Sequence, residues 1–500
     1  MEPAFSPAAV FGDRMVLCRN RPVTIFGAAP DGAEISARLN GQTACAVARN
    51  GRFEVTLPPM PAGGPYTLSL TDGQTERHFA DVLIGDVYFA GGQSNMELEL
   101  KDSDDGARLT ATTDDPLIRY YNVPKLAVAD AALLAAEQAC GWKTVQPGTC
   151  GDVSAVAYHF AARLRAELGV PVGIIDCYWG GTSVACWLDE AALRATDAGT
   201  ALWTEFTASI AAKSEAECDA EVRAHDEKLE AWNRSVEKVR AEHPGISAAE
   251  VAALVAPCPW NPPASRKSGF RPAGLAETMV KRVAPYTLTG ILYYQGEEDT
   301  KHPGLYRELM GSLIAFWRGL FRNPDLPFLY VQLPMFRNSY EADDHHWAEL
   351  RQAQEQAWLA ARNVGLAVLI DAGELDNIHP TDKKTVGDRL FQQAMRVVYG
   401  HTDAPESPRA LYAWREGTEL VVELTAAVSS CGEPALFELA DAKGVFIPAS
   451  ATPEGRRIRL AAEGMTRPLA ARYAWVNYGQ VNLFGGNGLP LAPFRLGESI

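Results

Sequence analysis

Val87-Tyr88-Phe89-Ala90-Gly91-Gly92-Gln93-Ser94-Asn95-Met96 is the stretch on which the fold turns. Its first four residues are a short apolar, β-prone run bounded by glycines, which reads as a buried strand. Two consecutive glycines permit a sharp turn with backbone angles that side chains disfavour. A serine directly after such a turn projects its hydroxyl from the strand end at the start of a helix, the logic of a nucleophile elbow. The run is not of the Gly-x-Ser-x-Gly form, because position 96 is methionine. Taken alone, Ser94 fits a helix cap equally well.

Working outward, further buried-strand runs follow at 172–176, 290–294, 328–331 and 365–370. Helical periodicity lies between them. In residues 306–321, Leu309, Leu313, Trp317 and Leu320 recur at spacings of three and four on one face. This alternation predicts a doubly wound parallel sheet of α/β class, with helices on both faces, over residues 82–405.

The flanks read differently. Over residues 1–81, short β-rich runs such as Val23–Gly27 and Phe53–Leu57 are punctuated by Asp31-Gly32, Asn40-Gly41, Asn50-Gly51 and Asp72-Gly73. Turn signals about every ten residues predict a sandwich-like β module. Residues 406–500 turn β again, with period-two alternation at Glu419–Leu424 and Arg457–Leu460. The α/β core is interrupted at about 196–275 by a charged helical stretch and by Pro257-Cys258-Pro259-Trp260-Asn261-Pro262-Pro263. This insertion reads either as a cap over a site or as a solvated helical hairpin.

Five hundred residues exceed one ordinary core, so two or three domains are expected. A formal net charge of −16 opposes binding to a phosphate backbone, so nucleic acid is excluded as an expected partner. No apolar stretch reaches the length of a membrane-spanning helix, so no membrane partner is expected. The first residues carry an acid and two prolines in place of a basic start and an apolar run, which makes the cytoplasm the expected compartment. Nine scattered cysteines without a Cys-x-x-Cys pair fit free thiols better than a zinc site or a redox dithiol. Composition is silent on oligomeric state.

In open α/β sheets, chemistry sits beyond the carboxyl ends of the strands. Ser94 lies past the first strand. The Gly180-Gly181 pair lies past the second, where a backbone N–H can approach a ligand closely. Gln295 lies past the third; its neutral amide suits a developing negative charge better than an acid would. Asn95 and Glu297 stand beside these residues as supporting groups. Past the last strand, Asp376 and His379 are three apart, close enough to meet in one turn as an acid–base pair. Four strand ends thus supply a nucleophile, two kinds of donor and a base. His345-His346 with Asp343-Asp344 lacks the i, i+4 histidines of a helical zinc motif, so no metal is assigned there. The Gly485-Gly486-Asn487-Gly488 run has no βαβ surroundings and is not a dinucleotide fingerprint.

Gly92-Gln93-Ser94-Asn95-Met96, Trp179-Gly180-Gly181-Thr182, Gln295-Gly296-Glu297 and Asp376-x-x-His379-Pro380 resemble, in order, the four blocks of the sialate O-acetylesterase-like branch of SGNH hydrolases, a branch related to acetylxylan esterases. Gln295 stands where typical SGNH enzymes have asparagine. Softer likenesses at Arg14-Met15-Val16-Leu17, Pro22–Gly27, Arg472-Tyr473-Ala474-Trp475 and Gly488–Arg495 extend the resemblance over nearly the whole chain. It implies a flavodoxin-like core and a serine esterase acting on O-acetylated sugars, either sialic acid or acetylated xylo- or manno-oligosaccharides, without cofactor or metal. In that reading Ser94 attacks, His379 is the base and Asp376 orients it. The oxyanion is held by the N–H of Ser94, by Gly181 in preference to Gly180, and by the Gln295 amide. A reading from another class is an inactive carbohydrate-binding protein; intact Ser94, Asp376 and His379 speak against it.

Overall fold

The computed structural model describes residues 4–497. One continuous strand, β1 (Glu76–Gly92), contains the Val87–Ala90 run in its C-terminal half. Its first six residues are exposed or half-buried and its last eleven are buried, so its two ends serve different surroundings. The outer end pairs antiparallel with Gly63–Thr71, and Val16–Cys18 runs parallel to it. The inner end lies parallel to β2 (Val172–Tyr178) and β3 (Gly290–Tyr294). Beyond β3 follow β4 (Phe328–Gln332) and β5 (Val364–Val368), both parallel.

The order β2-β1-β3-β4-β5 is that of a doubly wound flavodoxin-like sheet, extended past β2 by Asp115–Asn122 and Lys143–Val145. The strand order reverses at β1, so the crevice beyond its carboxyl end is where such a sheet binds ligands. The expected strand runs fall within two residues of these elements, except that the first is far longer than its apolar core suggested. Position 82, where the sequence pattern changes, lies inside β1, because the same strand continues from the N-terminal pairing into the central sheet.

Helices cover both faces. Tyr88 and Phe89 are neighbours on β1 and therefore point to opposite sides. Tyr88 meets Phe160 edge-on, from helix α1 (Ala155–Leu168). Phe89 meets Trp317 edge-on, from helix α2 (Pro303–Leu320). The predicted stripe on α2 buries Leu309, Leu313 and Trp317, while Leu320 is half-buried at its end. Helix α3 (Lys383–Val397) lies against α1 so closely that a Cβ on Gly387 would stand 2.6 Å from that of His159.

The insertion holds three helices, Asp197–Ile210, Glu215–Glu242 and Ala248–Leu254, followed by a stretch with little regular structure. Glu215–Glu242 opens with a capping box between Ser214 and Glu217 and buries only Cys218. N-terminally, Val23–Ala28 is the middle strand of a three-stranded sheet, while Glu34–Leu39 pairs with Gln42–Val47 and Gly63–Thr71. The C-terminal residues form two four-stranded antiparallel sheets and a two-stranded one. Their core joins Leu420, Val422, Phe437, Ile458 and Tyr473 to Met335, Val368 and Ile370 of the central unit. The Asp343–His346 run belongs to this junction. Asp343 and Asp344 accept from the main-chain N–H and the side-chain amide of Asn477, and the Asn477 oxygen accepts from the Trp347 N–H at 3.1 Å. The carboxylates of that run are thus tied to the C-terminal segment.

Candidate active site

At the carboxyl end of β1 the chain turns through Gly92, whose φ of 138° is in the region that favours glycine. A Cβ there would stand 2.0 Å from the carbonyl oxygen of Tyr294, the last residue of β3. Gln93 N–H donates to that same carbonyl at 3.0 Å, so the turn is pinned to β3. Ser94 then opens a one-turn helix, Ser94–Glu97. As the first helical residue it has no intrahelical acceptor for its N–H, and among the described residues no other acceptor takes it.

Past β5, the loop through 371–382 brings His379 back over this turn. His379 Nε2 lies 2.8 Å from Ser94 Oγ. The ring is exposed on its outer side, yet desolvation on its inner side lowers its pKa below the ordinary 6.5. The Lys383 ammonium lowers it further and Glu97 opposes both. A neutral imidazole in contact with a hydroxyl is the arrangement needed for proton removal near neutral pH.

A buried polar network holds the two together. Asn95 Nδ2 donates to the Ile378 carbonyl at 2.9 Å and to Glu297, and Asn95 Oδ1 accepts from Lys383 Nζ at 2.5 Å. Burial raises the Glu297 carboxyl and pushes the Lys383 ammonium down to about 8. Asn95 thus bridges Glu297 and Lys383 beneath the Ser94 turn.

Three expected roles differ from the geometry. Asp376 does not reach the imidazole. It sits at φ 63° in the same turn, and its carboxylate takes the Ser339 N–H at 2.5 Å, while its own N–H donates to the Arg337 carbonyl. The left-handed backbone aims its side chain at the 337–339 segment, away from the ring. Gln295 also faces inward. Its Nε2 donates to the Thr182 carbonyl and to Gln93 Oε1, each at 3.2 Å, and to Asp299, so no N–H remains for an external oxygen. The N–H of Gly180 is held by Glu97 Oε2 at 2.5 Å. Gly181, with φ 74°, keeps an N–H that no acceptor among the described residues takes.

Glu97 and Lys383 were not found by reading strand ends. Glu97 is three residues after Ser94, on the same side of one helical turn. Lys383 is four after His379 at the start of α3, a position that looks like a solvated helix end until burial is known. Asp299, pushed up to about 7 by burial, accepts the Val184 N–H at 2.8 Å and braces the loop after β2.

A family model described as carbohydrate esterase, sialic acid-specific acetylesterase, matches residues 270–396, which hold Gln295, Asp376 and His379. A carbohydrate acetylesterase from Xanthomonas citri superposes with a TM-score of 0.78 at 29% identity, covering 99% of each chain. The sialate O-acetylesterase of Mus musculus is 26% identical over 377 residues, which is 69% of this chain and 63% of that protein. This chain thus spans less than two thirds of the mouse protein's length. The human sialate O-acetylesterase is 23% identical over 490 residues, covering 89% of this chain and 82% of its own length.

Proposed function

We propose that this chain, which belongs to the sialate O-acetylesterase-like family of SGNH carbohydrate esterases, releases acetate from O-acetylated sugars by covalent catalysis through Ser94 and His379. The observation that carries the reading is the 2.8 Å contact between Ser94 Oγ and a neutral-leaning His379 Nε2 at the switch point of the sheet.

The steps follow from those atoms. Ser94 Oγ attacks the acetyl carbonyl carbon while its proton passes to His379 Nε2. The oxyanion forms beside the free N–H groups of Ser94 and Gly181; one such donor is worth about 10²–10³ in turnover. Collapse breaks the bond to the sugar oxygen, which takes the proton from His379 and leaves as a hydroxyl. Water, deprotonated by the same imidazole, then hydrolyses the acetyl-serine to acetate and restores Ser94. Asp376 acts in this scheme by fixing the turn that carries His379. No step calls for a metal or cofactor.

The sialate name belongs to relatives at 23–27% identity, whereas the 29% identical full-length relative is described as a carbohydrate acetylesterase. Acetate release is therefore measured side by side from 9-O-acetylated sialic acid and from acetylated xylo- and manno-oligosaccharides. Wild type is expected to release acetate from at least one class, and Ser94→Ala from none. Comparable release by purified, folded Ser94→Ala overturns the mechanism.

A further inference from the structure

The exposed aromatic rings are unevenly placed. Among the described residues, Trp260, Tyr340 and Tyr412 are the large aromatic side chains that stand out in solvent, at 44%, 52% and 57% exposure. Two of the three come from segments that contact the loops carrying the site residues. Tyr340 follows Ser339, whose N–H is bound by Asp376 in the His379 turn. Trp260 comes from the Pro-rich end of the insertion and lies against Gly181.

Trp260 is held along one edge of its ring system. A Cβ on Gly181 would stand 2.4 Å and 2.8 Å from two atoms of its benzo edge, so that edge abuts the Gly181 backbone. Along the same edge its indole N–H donates to Glu298 Oε2 at 3.1 Å. Gly180 in turn adjoins the nucleophile, since a Cβ on it would lie 3.3 Å from that of Ser94. The segment carrying Trp260 is itself anchored. His225 Nε2 contacts the Pro259 carbonyl at 2.7 Å, and Trp232 Nε1 donates to the Ala256 carbonyl at 2.7 Å, both from the long helix Glu215–Glu242. Lys301 Nζ donates to Asn261 Oδ1 at 2.9 Å from the other side. Two side chains of a helix that buries only Cys218 thus bond the segment that carries Trp260.

An indole fixed in this way, and left uncovered, has the form of a stacking surface for a partly apolar, partly hydroxylated ring. The geometry points to Trp260 as the platform on which the pyranose of the acetylated substrate stacks, making the insertion a specificity element of this active site. The inference rests on the esterase reading above. A sugar ring presents its C–H face to the indole and its hydroxyls outward, while an acetyl group on that ring faces Gly181 and Ser94.

The test compares wild type, Trp260→Ala and Trp260→Phe on the best sugar acetate and on 4-nitrophenyl acetate, a small ester with no sugar ring. Loss of a stacking partner costs roughly two- to tenfold in kcat/KM. Trp260→Ala is expected to lower the ratio of sugar-ester to aryl-ester kcat/KM by a factor in that range, mainly through KM, and Trp260→Phe to restore most of the ratio. Equal losses on both esters, or an unchanged ratio, overturn the platform. If wild type cleaves the aryl ester but no sugar acetate, the esterase reading on sugars fails without any Trp260 variant, and the platform falls with it.

Discussion

Asn95 Nδ2 donates to the carbonyl of Ile378 at 2.9 Å, tying the residue after the serine to the residue before the histidine. The Ser94–His379 contact is therefore set by a neighbour-to-neighbour bond across two loops that are 283 residues apart in the chain. The same amide separates a buried ammonium from a buried carboxylate, Lys383 and Glu297, by bonding one through oxygen and the other through nitrogen.

Asn95→Ala is accordingly expected to damage stability and activity together. It leaves Lys383 and Glu297 without their bridge and frees the 378–379 backbone. Losing a partner to buried charged groups costs about 3 kcal/mol. Urea unfolding should show a drop of that order, and kcat should fall more than KM rises, since the loss is in placing the base. An Asn95→Ala enzyme with wild-type stability would show that the network carries no load.

Asp376 separates two accounts of the turn. Asparagine at 376 retains an oxygen for the Ser339 N–H and tolerates a left-handed backbone, but carries no charge. Because the carboxylate is bound to Ser339 and not to the ring, Asp376→Asn is expected to keep kcat within about tenfold of wild type, with Asp376→Ala lower and His379→Ala far lower. Steady-state kinetics on an aryl acetate decide it. A loss in Asp376→Asn as large as in His379→Ala would mean that the carboxylate reaches the imidazole once substrate binds.

The sheet and its strand ends were legible because buried parallel strands are continuous apolar runs and the glycine turns after them are local signals. What the residues past those ends bond to was not. Gln295 and Gly180 stand where donors to substrate are expected, but whether an N–H is free depends on Thr182, Asp299 and Glu97, which approach from other loops. Likewise the continuity of Glu76–Gly92 escaped a pattern reading, since its exposed outer end and buried inner end have different periodicities. Trp260 read as part of a Pro-rich insertion because nothing local links position 260 to Gly181.

The pH dependence follows from the groups around His379. Catalysis requires the neutral ring, and the ring's pKa is lowered, so the acid limb of kcat/KM should have its midpoint below 6.5. Lys383 lowers that pKa, so Lys383→Met should move the midpoint up. Glu97 raises it, so Glu97→Gln should move the midpoint further down. Opposite displacements in the two pH profiles are a signature that a general loss of structure does not produce. Shifts in the same direction would remove His379 as the titrating base.

Gln295 provides the last test, because two roles for it predict different observables. As a donor to the oxyanion, its loss costs turnover by about 10²–10³ with stability intact. As found, its amide nitrogen is spent on Thr182, Gln93 and Asp299 in a fully enclosed position among the loops that follow β1, β2 and β3. Gln295→Ala should then leave the Thr182 carbonyl short of a donor and open a small void, at a combined cost of about 2–4 kcal/mol. Burial already holds the Asp299 carboxyl up near 7, and without the amide that lowers it, Asp299 should protonate more readily. Such a group gives stability above the unfolded pKa only when its folded pKa is depressed; Asp299 is raised, so it costs stability as pH rises from 3.8 through 7. Gln295→Ala should carry that decline to higher pH. Chemical unfolding of wild type and variant between pH 5 and 8, alongside kcat on an aryl acetate, measures both. A variant as stable as wild type at each pH but two orders slower would return Gln295 to the oxyanion.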